Sequence, residues 1–549
     1  METNEHKNAG DQIRIVTLGN HRYLRGSENL SPDIVNNLNL TMMQEIDGIP
    51  VPLDMKLSAG DVVALAGDYY TKAGWWEQLQ IPEKTGDGTE ENKQLLHAPV
   101  MQAETDAFKQ AYNDLASPAV TKSAISQIFA IDGSRFIPSL LKQLIYAVTV
   151  KDYGAKLASN EDHFAPWSLR GYIVGHQSAL NMAEIAYYCH QIAEGKVSKE
   201  DKKIPPEIRD RLAKIVQQIE IDPAKYKLDP ESTEGKLTEK ELFTELGHRF
   251  HAMAVARDLF AMHFYSDHFA GGHLSRMGEM RKLLPKEFGV WGSILVNNMH
   301  NEDNKNSVAV TNSFQPLSRE QDMIKEDSKA YGDGTYFYHE NDANANMLIN
   351  GMDNSLGDIA RLMKTGEKRQ SVDYGGLEFL PQINYKVSQP QPLFIQDPKN
   401  KKIYFRSDVK HIKMLSPSEY TETAKNPSQH GYEELTPGKA FWLVVKLRVL
   451  AYFYSPQVES GQKEQAKIHD DEQEDASKKQ QTHVQQSTLS SGPILQSESH
   501  SVPPIMGKWR NTTTSHSIAK QSFLAGPQKG NPDETISPEN GAVYSQTNH

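Results

Sequence analysis

His263-Phe-Tyr-Ser-Asp267-His-Phe-Ala-Gly-Gly-His273 is the stretch on which the reading of this chain turns. It closes a longer run that begins at Leu237. Thr238 followed by Glu241 has the spacing of a helix capping box, and Leu242, Leu246, Met253, Leu259 and Met262 carry a helical pattern to about His268. On such a helix His263 and Asp267, four residues apart, share one face and can reach one cation. His273 follows a Gly271-Gly272 break, whose backbone freedom lets a third ligand turn back toward the same cleft.

Working outward, Asn298-Met-His300-Asn-Glu-Asp303 offers another imidazole with a carboxylate three residues on, and Asp162-His163-Phe a further one just before a helical stretch at 171–193. His176, His248 and His251 read as structural histidines within helix packing. The single cysteine, Cys189, rules out an intramolecular disulfide and a cysteine-rich zinc site, so a metal here is held by His and carboxylates. The net charge of −12 argues against non-specific nucleic-acid binding and against a polybasic membrane clamp. Contact with lipid is expected instead from exposed aromatic or apolar residues around a cleft. The polar segment Met1–Gln12 lacks the apolar core of a signal peptide, and no uncharged run of about 18 residues suggests a membrane span.

The same pass divides the chain into a disordered N-terminus (1–12), a helical domain (13–370), and an appendage of short β-like pieces with a packing helix opened by Thr436-Pro437 (371–455). A polar tail (456–549) follows, too poor in apolar residues to offset its ordering entropy. Helices are expected at 124–130, 137–150 and 344–363, and a charged loop at 196–236.

Taken together, these motifs resemble the zinc-dependent phospholipase C and P1 nuclease superfamily, over roughly residues 13–365. The resemblance is closer to a bacterial phospholipase C subgroup that includes secreted Legionella enzymes, with Gly67-Asp68-Tyr69-Tyr70, Phe269-Ala-Gly-Gly-His273, the His300 segment and Tyr331-Gly-Asp333-Gly as shared motifs. It implies an all-α, multi-helix core holding two or three zinc ions. The implied ligands are His21, Asp68, His163, His263, Asp267, His273, His300 and Asp303. Asp68 would bridge metals and act as general base. The implied reaction is in-line hydrolysis of glycerophospholipids at a membrane surface, releasing diacylglycerol and a phosphorylated headgroup.

Tyr69 and Tyr70, beside Trp75 and Trp76, are candidates for the headgroup, and Arg276 for its phosphate, with Arg281 nearby. Two departures stand out. The N-terminal Trp ligand of the simplest family members has no counterpart, which leaves the third metal site open. Asn304 holds the place of their Glu, so Asp303 is preferred as ligand. The tail reads first as a disordered extension; the sharper reading, from the acidic patch Asp470–Asp475 and the polar end, is a C-terminal export signal, which would imply a bacterial cytoplasmic protein delivered into a host cell through secretion machinery. The alternatives are a P1-type nuclease and a host-binding effector whose metal serves only the fold.

Overall fold

The computed structural model describes residues 1–13, 20–25, 38–72, 74–81, 94–133, 161–228, 237–311, 327–454 and 456–458. The helix expected at 137–150 and the tail from 459 onward lie outside them. Within them the protein is mainly helical, with small sheets. Among the described residues no helix is long and apolar enough to cross a membrane.

Among the described residues the helices include α1 (Thr3–Asp11), α2 (Ala59–Leu65), α3 (Gln102–Leu115), α4 (Lys122–Gly133), α5 (Trp167–Ala193), α6 (Pro206–Ile221), α7 (Glu239–Asp267), α8 (Ser275–Asn306), α9 (Asp342–Thr365), α10 (Pro417–Lys425), α11 (Pro437–Val444) and α12 (Ala451–Tyr454). The axis of the fold is α7. Thr238 caps it as its spacing predicts, taking the Glu241 N–H on its hydroxyl while the Glu241 side chain returns to the Thr238 N–H. Every residue from Arg249 to Asp267 is buried, so this helix is enclosed on all sides rather than laid on a surface. Packed around it are α5, α2, α9 and the hairpin β2 (Asn39–Ile46)–β3 (Ile49–Ser58), whose edge pairs with β1 (Leu24–Arg25). That hairpin departs from an all-α expectation. Its strands are joined at Asp47-Gly48, and both turn residues have positive φ, the conformation a tight hairpin turn requires.

The N-terminus differs from expectation. Residues 3–11 are not unstructured but form α1, with Thr3, Glu5, His6, Ala9 and Gly10 buried. Small residues make this possible: a Cβ on Gly10 would lie 2.7 Å from the Gly60 Cα, so α1 and α2 meet backbone to backbone. Asp11 then accepts hydrogen bonds from the Ser58 hydroxyl (2.8 Å) and the Gly60 N–H (2.9 Å), and Lys7 pairs with Asp61. The 196–236 stretch is also not a simple loop, since Pro205-Pro206 opens α6.

The region 371–455 contains the expected short strands, including an antiparallel sheet of Phe394–Gln396, Ile403–Arg406 and Tyr432–Glu434. It is not a separate appendage, however. Leu393, Phe394, Phe405, Leu435, Ala440, Leu443 and Leu447 share one core with Met280, Leu284, Leu295 and Met299 of α8. Buried Arg406 adds a two-pronged ion pair to Glu302 of α8, at 2.8 and 2.9 Å. The α8 run itself bends at Gly289, which has φ 57.

Candidate metal centre

The C-terminal end of α7 delivers His263 and Asp267 on one face, as their spacing predicts. Three other elements close on them. The short turn Glu161–His163 brings His163 Nδ1 to 2.6 Å from Asp267 Oδ2 and 3.2 Å from His263 Nε2. The turn Gly271–His273 brings His273 Nδ1 to 3.3 Å from Asp267 Oδ1. From the other side α1 brings His6 Nε2 to 3.2 Å from the same oxygen. Beyond His273, the last turns of α8 present His300, whose Nε2 lies 3.2 Å from Asp333 Oδ2; His273 Nε2 is 3.8 Å from Asp333 Oδ1.

Two sets of donors result, His6–His263–Asp267 and His273–His300–Asp333, each tight enough for one ion. The Met1 amino group sits between the sets, 2.9 Å from Asp267 and 3.0 Å from Asp333. The floor is cleared by Gly67, where a Cβ would fall 1.8 Å from His263 Nε2 and 2.6 Å from a carbon of the His163 ring.

The outer partners fix ring orientation. His263 Nδ1 meets the Val63 carbonyl at 2.8 Å, His6 Nδ1 the Ser266 hydroxyl at 2.7 Å, and His273 Nδ1 the His163 carbonyl at 3.0 Å. A ring whose Nδ1 is held by a carbonyl presents Nε2 as a ligand. Electrostatics agree with that role. Burial opposes ionisation of Asp267, yet the Met1 amino group, His163, His6 and His263 hold its carboxyl well below the usual range. Asp333 is held down in the same way by the Met1 amino group, His300 and His273. Burial pushes His263 and His273 well below the ordinary imidazole value, which favours the form with a lone pair to offer. Glu5, just outside, is pushed up to about 7 by burial and by Asp333, while the Gly334 and Tyr336 N–H groups donate to it.

Of the expected ligands, His163, His263, Asp267, His273 and His300 converge. His21 does not. It stacks on His248, with ring centroids 4.5 Å apart, and lies near His251 at 5.3 Å. His251 is twelve residues before His263 on α7, about 18 Å along a helix. Asp303 is corrected too: its two oxygens are taken by the Arg276 guanidinium at 2.9 and 2.6 Å, a pair that ties the two ends of α8 together. The same contact removes Arg276 as a phosphate ligand, since it also donates to the Pro390 carbonyl. Asn304, not Asp303, turns toward the centre, with its Nδ2 3.2 Å from His300 Nε2.

The backbone of Asp68 lies in the π-helical turn Ala66–Tyr70; its side chain is outside what is described. Tyr69 is buried, its hydroxyl 3.1 Å from that of Thr3, and Trp75 packs against Phe264 in the core. Tyr70 remains half-buried. His6 and Asp333 were missed as ligands. Asp333 lies in the Tyr331-Gly-Asp333-Gly motif; His6 sits in a segment too polar to suggest a buried helix. No family model, curated protein or solved structure matches this chain.

Proposed function

We propose that the chain is a metal-dependent phospholipase C, using two divalent ions, of the zinc class, to hydrolyse glycerophospholipids. One observation carries this reading: two adjacent His-His-Asp sets, buried except for the partly exposed Asp333, on either side of the Met1 amino group. Imidazole plus carboxylate, without thiolate, is a donor set that suits zinc and similar divalent cations. His6, His263 and Asp267 would hold one ion, with His163 beside them, and His273, His300 and Asp333 the other. Bound there, such ions lower the pKa of water and offset the charge of a phosphodiester.

The protein's own part is orientation and dryness. Val63, Ser266 and the His163 carbonyl fix the imidazoles, and Phe164 stacks on His273 with centroids 4.7 Å apart. Of the aromatic residues proposed for the headgroup, Tyr70 and Trp76 are half-buried rather than enclosed. Export into a host cell and a role for the C-terminal tail stay with this proposal.

The test is metal analysis of the purified chain, together with headgroup release from mixed phospholipid vesicles with and without chelator. Release that needs the metal supports the reading. A chain that binds two ions yet releases no headgroup would be a fold-stabilising metal protein, and release of mononucleotides from single-stranded DNA would make it a nuclease.

A further inference from the structure

The segment from Pro437 to Tyr454 is apolar on two faces, and the fold uses only one. Ala440, Leu443, Val444 and Leu447, spaced as one side of a helix, are buried against α8. The opposite side carries Phe441 (39% exposed), Trp442 (64%), Val449 (74%), Leu450 (39%) and Phe453 (65%). Single exposed apolar residues are ordinary; five large ones within thirteen positions are not.

The charges beside them have one sign. Between Pro437 and Val458 the sequence contains Lys439, Lys446 and Arg448 and no Asp or Glu, in a chain whose net charge is −12. Lys446 is exposed, its ammonium 5.7 Å from the centre of the Tyr454 ring. Lys439 is exposed and pairs with Glu433 at 2.9 Å, a surface contact that solvent keeps weak. Arg448 leans on Asn297 at 2.8 Å and anchors the segment to α8. An exposed Trp among aliphatic and aromatic side chains, flanked by lysines, suits the boundary between acyl chains and anionic headgroups.

We infer that the outer face of Pro437–Tyr454 is a docking surface for an anionic lipid bilayer, entered by Trp442, Val449 and Phe453 and attracted by Lys446 and Lys439. This surface stands on its own observations and deepens the phospholipase reading by placing its substrate's membrane against one named face. A protein partner with an acidic groove would also meet a basic apolar helix. The lipid is favoured because the face is aromatic, with Trp442 well exposed, and presents only two exposed cations, Lys439 and Lys446.

The experiment uses the full metal-loaded chain and vesicles of phosphatidylcholine alone or mixed equally with phosphatidylglycerol. Bound protein is read by sedimentation at short times, and headgroup release is read separately. Wild type should bind the mixed vesicles, with a blue shift of tryptophan emission that the single variant W442F reduces. W442S/F453S should lower the bound fraction at least tenfold. K446E should weaken binding to mixed vesicles several-fold while leaving the weaker binding to pure phosphatidylcholine unchanged. Because these side chains point outward, the circular dichroism spectrum should match wild type.

Undiminished vesicle binding by W442S/F453S overturns the surface, and headgroup release by that variant would still leave the phospholipase reading standing. Binding without release by wild type does the reverse. If the variant instead converts a dimer to a monomer in solution with vesicle binding unchanged, the face covers a second copy of the chain and the proposal fails.

Discussion

One helix, α7, carries histidines at its C-terminal end and again three turns earlier, and the two places treat them differently. At the C-terminal end His263 meets Asp267, His163 and His6, and the set is interleaved with carboxylates and a cationic amino group. Nearer the middle of the helix His248 and His251 meet His21 and His190, and their ring neighbours are imidazoles. Burial and the neighbouring rings push His21 down to about 2 and His251 down to about 3. Midway, His176 of α5 lies 2.7 Å from Asp258 and 3.3 Å from Asp358. Burial opposes its charge there, but the two carboxylates raise it to about 9. Burial alone therefore does not decide what a histidine does. The carboxylates brought to it do: enough of them around one ring make a buried cation, and shared among several rings they make a set of ligands.

The comparison can be broken most decisively at His263. H263A removes a donor from the carboxylate-bearing end and should lower phospholipid hydrolysis by about 1000-fold, with loss of bound metal by elemental analysis. Hydrolysis within tenfold of wild type would show that this end is not the reaction centre.

The next effect is on stability and separates ligand from clamp. D303A leaves the Arg276 guanidinium buried without its anion, which costs about 3–5 kcal/mol of unfolding free energy. Metal content per folded chain should be unchanged. Loss of an equivalent of metal without loss of stability would restore Asp303 as a ligand.

His176 gives a pH test. Its folded value of about 9 lies above the ordinary 6.5, so its contribution is complete below pH 6.5 and disappears as pH rises through 9. The difference, at about 1.4 kcal/mol per unit, sets a ceiling of about 3.5 kcal/mol. Denaturant unfolding of wild type and H176Q between pH 6 and 10 should show the gap closing with pH; a constant gap would mean that His176 is neutral in the fold.

The smallest effect is at the helix start. T238A removes the N-cap and should cost about 1 kcal/mol. Amide exchange should quicken in the first turns of α7 while metal content at the far end stays the same.

Much of this was legible beforehand because it is local. The capping box, the length of α7 and the single face shared by His263 and Asp267 follow from helical periodicity alone. That His163, His273 and His300 would join them rested on a resemblance of motifs. What the sequence hid depends on contacts between distant segments. Asp303 shares a helical turn with His300, as its spacing says, but Arg276, 27 positions earlier, claims it. His6 looked like part of a disordered polar N-terminus because α1 buries small and polar residues and has no apolar stripe to detect. His21, the imidazole the resemblance chose, falls beside His248 and His251, about three turns back along α7 from His263.

The ion pair between Arg406 and Glu302 bears on how this molecule can be divided. Glu302 is the second residue after His300, on the same turns of α8 that Arg276 grips through Asp303. Cutting the chain ahead of residue 393 would strip a guanidinium from a buried acid and half the shared core from one side of α8. The strand-rich region is therefore a buttress for the helix that presents His300, and a shortened chain would forfeit its second set of donors along with the sheet.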